Sequence, residues 1–471
     1  MYKIPDEYFF RIHHIRPRFK NNVEDVLYFM ANEIVKLNPT PHEDFKGELN
    51  SIIKLYPGNS SKTLKTINNW RTEISALFGL VEYDGDISKP SRMSQLLSQS
   101  QDLIEFFRYF LYYFQYPGGH LKPKESLEYI KAGIKFKPAS YILAVLMEGK
   151  KMTDNEKFGI SKAEATHCIF NDLRVTRDDR TPSETVKLIL DNRNNSIKYD
   201  QRGDVVRYAG DILDYMELGD LITLRPNYNY YPNLVNLETI QAFINAEKSY
   251  FKPYEEIYAK RNKNIYDVTR NQEQWFGYVN NRLHSSIFQA NILSIIEGAE
   301  DETPSMDFLK QILLKLQSSI QSENGIRTKE IGDVGEAIII EHEKVRLIKL
   351  SREDILHLIK KIPETFAVGY DISSYDGEGD LRRYIEVKTT ISRGKLASNS
   401  FHMTPSEWSS ANTLRSNYFV YRLMISSSGV SLFLIKDPIG KYKEDLLDMI
   451  PREGADIRYS EKSGYWEPLL V

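Results

Sequence analysis

The chain has 471 residues, 41% hydrophobic, 27% charged and 12% aromatic, with 30 tyrosines, a composition that argues against disorder and suffices for two to four folded domains. The formal net charge of −3 neither supports nor opposes nucleic-acid binding, because a local basic stripe can hide in a balanced total. A single cysteine, Cys168, excludes an internal disulfide, a zinc–thiolate cluster and a redox Cys pair. No apolar run approaches the ~20 residues of a membrane helix, and Met1–Asp6 lacks a signal-peptide core, so a cytoplasmic protein without a membrane partner is expected.

Residues 1–120 alternate helical spacing with turn chemistry. Apolar positions recur at helical spacing over residues 22–36, and Asn59-Ser60-Ser61-Lys62-Thr63 reads as an N-terminal cap. Leu64, Ile67, Trp70, Ile74 and Leu77 form one stripe of the helix that follows. Gly79, a short strand and Asp84-Gly85-Asp86 complete a winged helix-turn-helix pattern. Such a helix enters the major groove by its first turns, which makes Lys65, Asn68, Asn69 and Arg71 candidate DNA contacts. An ordinary solvated helix face has the same composition. Arg11, Arg16, Arg18 and Lys20 offer phosphate contacts. Residues 101–117 carry aromatics nearly all round, the mark of a helix buried between domains rather than of base stacking, and Pro117-Gly118-Gly119 breaks it.

Residues 121–240 form a second unit. Ser161-Lys162-Ala163-Glu164 is a capping box. Residues 204–216 are amphipathic, with Val205, Tyr208, Ala209 and Ile212 inward, and Leu221–Leu224, a Pro226-Asn227 turn and Tyr228–Tyr231 make a second wing. Lys162, Arg174, Arg177, Arg180, Arg202, Arg207 and Arg225 are candidate DNA contacts, although arginines so spaced also suit a solvated or ion-paired surface. Cys168 reads as a buried small residue rather than a nucleophile. Residues 241–325 show helical patterns, notably 272–296 and 306–319, without a chemical constellation. They are expected to be a helical connector or a dimer contact.

Residues 326–471 carry the chemistry. Gly369-Tyr370-Asp371-Ile372 and Arg383-Tyr384-Ile385-Glu386-Val387-Lys388-Thr389-Thr390 read as two strands joined by an Asp/Gly-rich tip. Alternation puts Glu386 and Lys388 on one face, with Ile385 and Val387 on the other. Mg²⁺ takes one or two carboxylates and keeps water in its other positions. Asp371 and Glu386 meet that need, the Val387 carbonyl can add a third ligand, and Lys388 would orient or deprotonate a water. Glu336, at the start of a helix opened by Ile331-Gly332-Asp333-Val334-Gly335, can reach the same cluster.

At these residues, from Lys329 to Tyr442, the chain resembles the PD-(D/E)xK nuclease superfamily, in particular the domain at the C-terminus of no-vein-type proteins and some restriction enzymes. Tyr370 stands where the superfamily name has proline. Two winged helices in series resemble the recognition half of type IIS restriction endonucleases. The fold so implied is multidomain α+β, a helical winged-helix DNA-binding half followed by an α/β nuclease domain with a central mixed sheet. The resemblance implies a restriction-type endonuclease dependent on Mg²⁺, with Mn²⁺ as substitute, that hydrolyses double-stranded DNA to 5′-phosphate and 3′-hydroxyl ends. Glu336, Asp371, Glu386 and Lys388 would be catalytic, Asp371, Glu386 and Val387 would hold metal, and cutting both strands would call for at least a transient homodimer. The alternative is a regulatory DNA-binding protein in which the nuclease-like domain is a degenerate interaction module.

Overall fold

The computed structural model describes residues 1–17, 19, 22–153, 158–281, 286–290, 295, 307, 310–311, 331–363, 368–377, 381–394, 399–451 and 454–470. The fold is mixed α/β and divides into two compact units, Met1–Gln99 with Leu103–Phe288, and Ser100–Asp102 with Gln289–Val471. The boundaries expected at 120 and 240 lie within the first unit, which runs on to Phe288. The boundary expected at 325 lies outside the described residues, as do Arg18 and Lys20.

In the first unit, α1 (Val23–Ile34), α2 (His42–Leu55) and α3 (Leu64–Thr72) precede a small sheet of β1 (Thr40–Pro41), β2 (Val81–Asp84) and β3 (Ile87–Pro90), in the order β1-β3-β2. Thr63 caps α3 by accepting the Thr66 N–H, as its residue type favours. The apolar stripe is inward at Ile67, Trp70, Ile74 and Leu77, but Leu64 at its start is 64% exposed. A π-helical turn over Glu73–Leu77 extends the helix to the Gly79 stop. Gly85 is needed for backbone reasons alone: its φ is +57° in the β2/β3 turn, and a Cβ there would meet nothing.

The aromatic helix α5 (Leu103–Tyr113), which follows α4 (Arg92–Ser100), joins the two halves expected to be separate. Phe110 packs at a tilt against Phe78 at 5.2 Å and edge-on against Tyr215 at 5.6 Å, so one aromatic cluster spans both. Tyr215 lies on α9 (Gly203–Leu218), reached through α6 (Pro123–Lys131), α7 (Pro138–Met152) and α8 (Pro182–Asn194). Ala209 and Ile212 of α9 are buried as expected, whereas Val205 and Tyr208 are only partly covered. The Ser161 capping box forms with Glu164, whose carboxylate is also clamped by Arg193 at 2.7 and 2.8 Å. The β4 (Ile222–Leu224) and β5 (Tyr230–Pro232) hairpin follows. Tyr228, expected in its second strand, instead sits at the tip, 80% exposed with φ +59°. Beyond α10 (Leu237–Asn245) and α11 (Pro253–Ala259), α12 (Gln272–Val279) ends well before residue 296. Its Trp275 and Phe276 are buried within this unit, Phe276 against Tyr83 at 4.3 Å. The helix expected over 306–319 falls almost wholly outside the described residues. Cys168 is fully buried, and burial pushes its thiol up to about 12, in keeping with a structural role.

The second unit is built on a mixed six-stranded sheet. Its strands are β6 (Lys360–Lys361), β7 (Ile372–Tyr375), β8 (Arg382–Ile391), β10 (Tyr418–Ser426), β11 (Gly429–Lys436) and β14 (Tyr465–Glu467), in the order β14-β11-β10-β8-β7-β6. Only the β8/β10 pair is parallel. The long helix α13 (Ile331–Lys349) covers one face. There Tyr421 and Arg346 bind the buried Glu343 at 2.8 and 2.7 Å, and Arg383 lies 3.6 Å from it. The other face packs a second sheet, β9 (Ser400–Met403), β12 (Leu447–Pro451) and β13 (Ala455–Tyr459), together with α14 (Pro405–Leu414) and α15 (Pro438–Lys443). The buried cluster of Phe401, Met403, Ala411, Tyr418, Val420 and Phe433 fills that layer. Alternation along β8 thus sends Arg383 toward α13, and Glu386 and Lys388 toward α14. Among the described residues no helix is long and apolar enough to cross a membrane.

Candidate active site

Two glycines let the second unit close around its acidic residues. A Cβ on Gly335 would collide with the Thr389 hydroxyl, so glycine there lets α13 lie directly on β8 and carries Glu336 to the sheet. Gly369 has φ +74°, and a Cβ would strike the Ser406 carbonyl, so the segment leading to Asp371 passes hard against the first turn of α14. Tyr418 Oη donates to the Gly369 carbonyl at 2.9 Å and Ser410 Oγ to that of Val368 at 2.6 Å, pinning the same segment. Tyr370 packs on Tyr384, with ring centroids 4.8 Å apart. An aromatic anchor here holds the strand entry.

The Asp371 N–H donates to the Ile385 carbonyl at 2.9 Å, and its Oδ2 accepts the Val387 N–H at 2.8 Å. Asp371 thereby continues the β7/β8 ladder with its side chain, beside Glu386. Alternate residues of a strand direct N–H and C=O to the same neighbour, so the Val387 carbonyl faces Asp371's side too. Lys388 Nζ lies 2.7 Å from Glu386 Oε1 and 2.7 Å from Glu407 Oε2. Glu336 Oε2 lies 2.8 Å from Lys361 Nζ on β6, which also meets Asp333. The structure thus brings Asp371, Glu386, Val387 and Lys388 together directly. Glu336 is joined to them through electrostatics, its carboxyl being close enough to feel Asp371.

Proton affinities record the crowding. Burial, with repulsion from Asp371 and Asp333, raises the Glu336 carboxyl to about 7 despite Lys361. Burial also raises Asp371, against the Val387 N–H and Lys388. Glu386 is pushed well above the carboxylate range by burial, then by Asp371 and Glu407. Burial alone would lower Lys388, but Glu386 and Glu407 more than offset it and hold the ammonium charged. Five carboxylates, Asp333 included, surround two ammonium groups, an imbalance that a cation relieves.

Besides Lys361, two contributors escape sequence reading. Glu407 closes a capping box with Thr404 at the start of α14 while holding Lys388, and the Thr-x-x-Glu spacing was its available signal. Arg422, fully buried on β10 in register with Lys388, donates to the Lys388 carbonyl at 3.0 Å. A lone arginine inside an apolar strand was the cue. Among the described residues no group of three or more Asp, Glu, His or Cys side chains forms a ready-made metal cage. A Mg²⁺ site needs only one or two carboxylates, and Asp371 with Glu386, one hydrogen-bonded to the backbone next to the other, suits that donor set.

In the first unit the eleven candidate DNA contacts divide. Arg174 is bidentate to the buried Asp172 at 2.8 and 2.7 Å, and Arg180 joins the same carboxylate at 2.9 Å. Arg177 pairs with Asp178, Arg202 with Asp200 and Lys162 with Asp214. Arg207 stacks on Tyr208 at 4.9 Å and the exposed Arg225 on Tyr231 at 4.1 Å. On α3, Lys65 is exposed, Asn68 and Asn69 are partly buried, and Arg71 donates to Asn50 at 3.1 Å.

A family model described as restriction endonuclease BpuJI, N terminal, matches residues 2–276. One described as protein NO VEIN, C-terminal, matches residues 335–435, a span that includes Glu336, Asp371, Glu386, Lys388 and Glu407. With its helical first unit and acidic sheet edge, the chain has the organisation of a restriction-endonuclease-related protein. Because the first match takes in more than half of the sequence, the chain belongs to the family of the BpuJI restriction endonuclease N-terminal domain. It is also similar to the BpuJ1 endonuclease binding domain in a crystal structure with pyrene- and phenanthrene-modified DNA. That likeness has 25% identity and a TM-score of 0.53, and covers 59% of this chain and 100% of that one. No curated protein matches the chain.

Proposed function

We propose that this protein is a Mg²⁺-dependent, sequence-specific DNA endonuclease of the restriction type, whose first unit binds duplex DNA and whose second unit is a PD-(D/E)xK hydrolase. The observation that carries it is Asp371 bonded to the Val387 N–H beside a Glu386–Lys388 pair, in a chain of the BpuJI N-terminal family. The DNA complex of the similar binding domain supports assigning recognition to the first unit, in which α3 with its hairpin and α9 with its hairpin serve as two winged-helix-like readers.

Asp371, Glu386 and the Val387 carbonyl would hold the metal. A bound Mg²⁺ lowers the pKa of its water and neutralises charge building on the phosphate. Lys388, kept charged by two carboxylates, orients the water and donates to the phosphate rather than acting as the base. Glu336, raised to about 7, is the carboxyl able to exchange a proton near neutrality. Products are 5′-phosphate and 3′-hydroxyl ends, and duplex cleavage proceeds through a transient homodimer.

The test is incubation of the purified protein with modified and unmodified genomic DNA plus Mg²⁺, followed by sequencing of fragment ends. Discrete ends that disappear in Asp371→Ala, Glu386→Ala and Lys388→Ala, with duplex binding retained, are the expected result. Cleavage that survives all three changes would refute the assignment.

A further inference from the structure

Lys388 has two anionic partners where one would satisfy it. Its ammonium stands 2.7 Å from Glu386 and 2.7 Å from Glu407, and the side chains of all three are at most 16% exposed. Glu386 is the carboxylate required as a metal ligand, so every moment it spends paired with Lys388 is unavailable to a cation. Glu407 is fixed independently of that pair. Its Oε2 accepts the Thr404 N–H at 3.2 Å and its own N–H reaches Thr404 Oγ1 at 3.3 Å, locking it to the first turn of α14. The Arg422 guanidinium, bonded to the Lys388 carbonyl, fixes the strand beneath. The ammonium therefore sits between a carboxylate with a second duty and one held in place by the main chain.

We propose that Glu407 is a positioning residue that keeps Lys388 in the site when Glu386 turns to the metal, and so sets the affinity of the centre for its divalent cation. The proposal rests on the metal reading of Asp371 and Glu386 given above. Without Glu407, Lys388 has only Glu386, and the cation must break that ion pair to bind.

The experiment is Mn²⁺ binding to the full-length protein without DNA, by calorimetry and by loss of the free-ion electron paramagnetic resonance signal. Wild type, Glu407→Gln, Thr404→Ala, Lys388→Met and the Glu407→Gln/Lys388→Met double variant are compared. Glu407→Gln is expected to weaken Mn²⁺ by about 10-fold, the scale on which groups that orient metal ligands act. In the Lys388→Met background, where no ammonium competes for Glu386, the same change should have little effect, which separates positioning from simple loss of a nearby charge. Thr404→Ala loses the Oγ1 cap bond but keeps the main-chain N–H that holds the Glu407 carboxylate, so it should lower the Tm while leaving Mn²⁺ affinity unchanged. An equal loss in both backgrounds, or none in either, would overturn the proposal while leaving the metal site standing. Absence of Mn²⁺ binding to wild type would remove the metal reading and this inference together.

Discussion

The two units treat charge in opposite ways. In the first, arginines are matched to carboxylates: Asp172 holds Arg174 and Arg180, Asp211 holds Arg16, and Asp200 holds Arg202. In the second, Glu336, Asp371, Glu386 and Glu407 gather around Lys361 and Lys388, and three of the four carboxyls are driven upward in pKa. Matched pairs hold a surface in shape and need nothing further. Unmatched buried anions cost folding free energy, and the proposed cation would offset that cost.

The largest effect expected from this contrast is on cleavage. Asp371→Ala and Glu386→Ala should each cost on the order of 10³-fold in the rate of phosphodiester hydrolysis, since each removes charge stabilisation from the reacting centre. Gel-shift affinity for duplex DNA should stay at the wild-type level. A variant that loses cutting and binding together would show that the division of labour between the units is wrong.

Next in size is a difference of sign in stability. Asp172→Ala leaves two guanidinium groups without their buried acceptor and should destabilise the first unit by about 2–3 kcal/mol. Asp371→Asn in metal-free buffer should instead raise the melting temperature, because the amide oxygen still accepts the Val387 N–H while one of the crowded charges is gone. Calorimetric scans in EDTA read both, and stabilisation of the same sign from the two substitutions would erase the contrast.

A pH profile sharpens the point about Glu336. Its carboxyl titrates near 4.5 when the chain is unfolded and near 7 when folded. The folded state therefore binds the extra proton between those values, and its stabilising effect, full below about pH 4.5, is lost as pH rises through 7. Metal-free urea midpoints should fall over that window in the wild type, and less so in Glu336→Gln. Identical slopes would mean that Glu336 does not feel its neighbours as the structure places them.

These experiments also separate what was legible in the sequence from what was not. The Glu386–Lys388 pair was legible because residues two apart on a strand must share a face, and the Ser161 cap because its partner is three residues away. The burial of the aromatic helix was legible from its uniform apolar surface, but its consequence was not. Phe110 meets Phe78 and Tyr215, far apart in sequence but within one compact unit. Glu407 and Lys361 were missed because each reaches the site from a separate element, across 19 residues to Lys388 and 25 residues to Glu336. The arginines of residues 174–202 suited either DNA contacts or an ion-paired surface, and the sequence did not choose between them. Composition does not say that a carboxylate one or two residues away, such as Asp172, Asp178 or Asp200, is turned onto them by the local backbone.

The smallest predicted effect follows from those arginines. An arginine already neutralised by a carboxylate releases few counterions when it meets a phosphate, whereas one stacked on an aromatic ring keeps its charge available. Arg225, exposed on the ring of Tyr231 beside the hairpin tip, is of the second kind, and Arg177, held by Asp178, is of the first. Arg225→Ala should weaken duplex binding and lower the magnitude of the slope of log K against log salt by about 0.9, the value for one lost phosphate contact. Arg177→Ala should leave that slope unchanged. Fluorescence anisotropy across 50–200 mM salt resolves the two. If Arg177 shifts the slope as much as Arg225, its ion pair with Asp178 opens on DNA, and the first unit's matched charges are a reserve for binding rather than a finished surface.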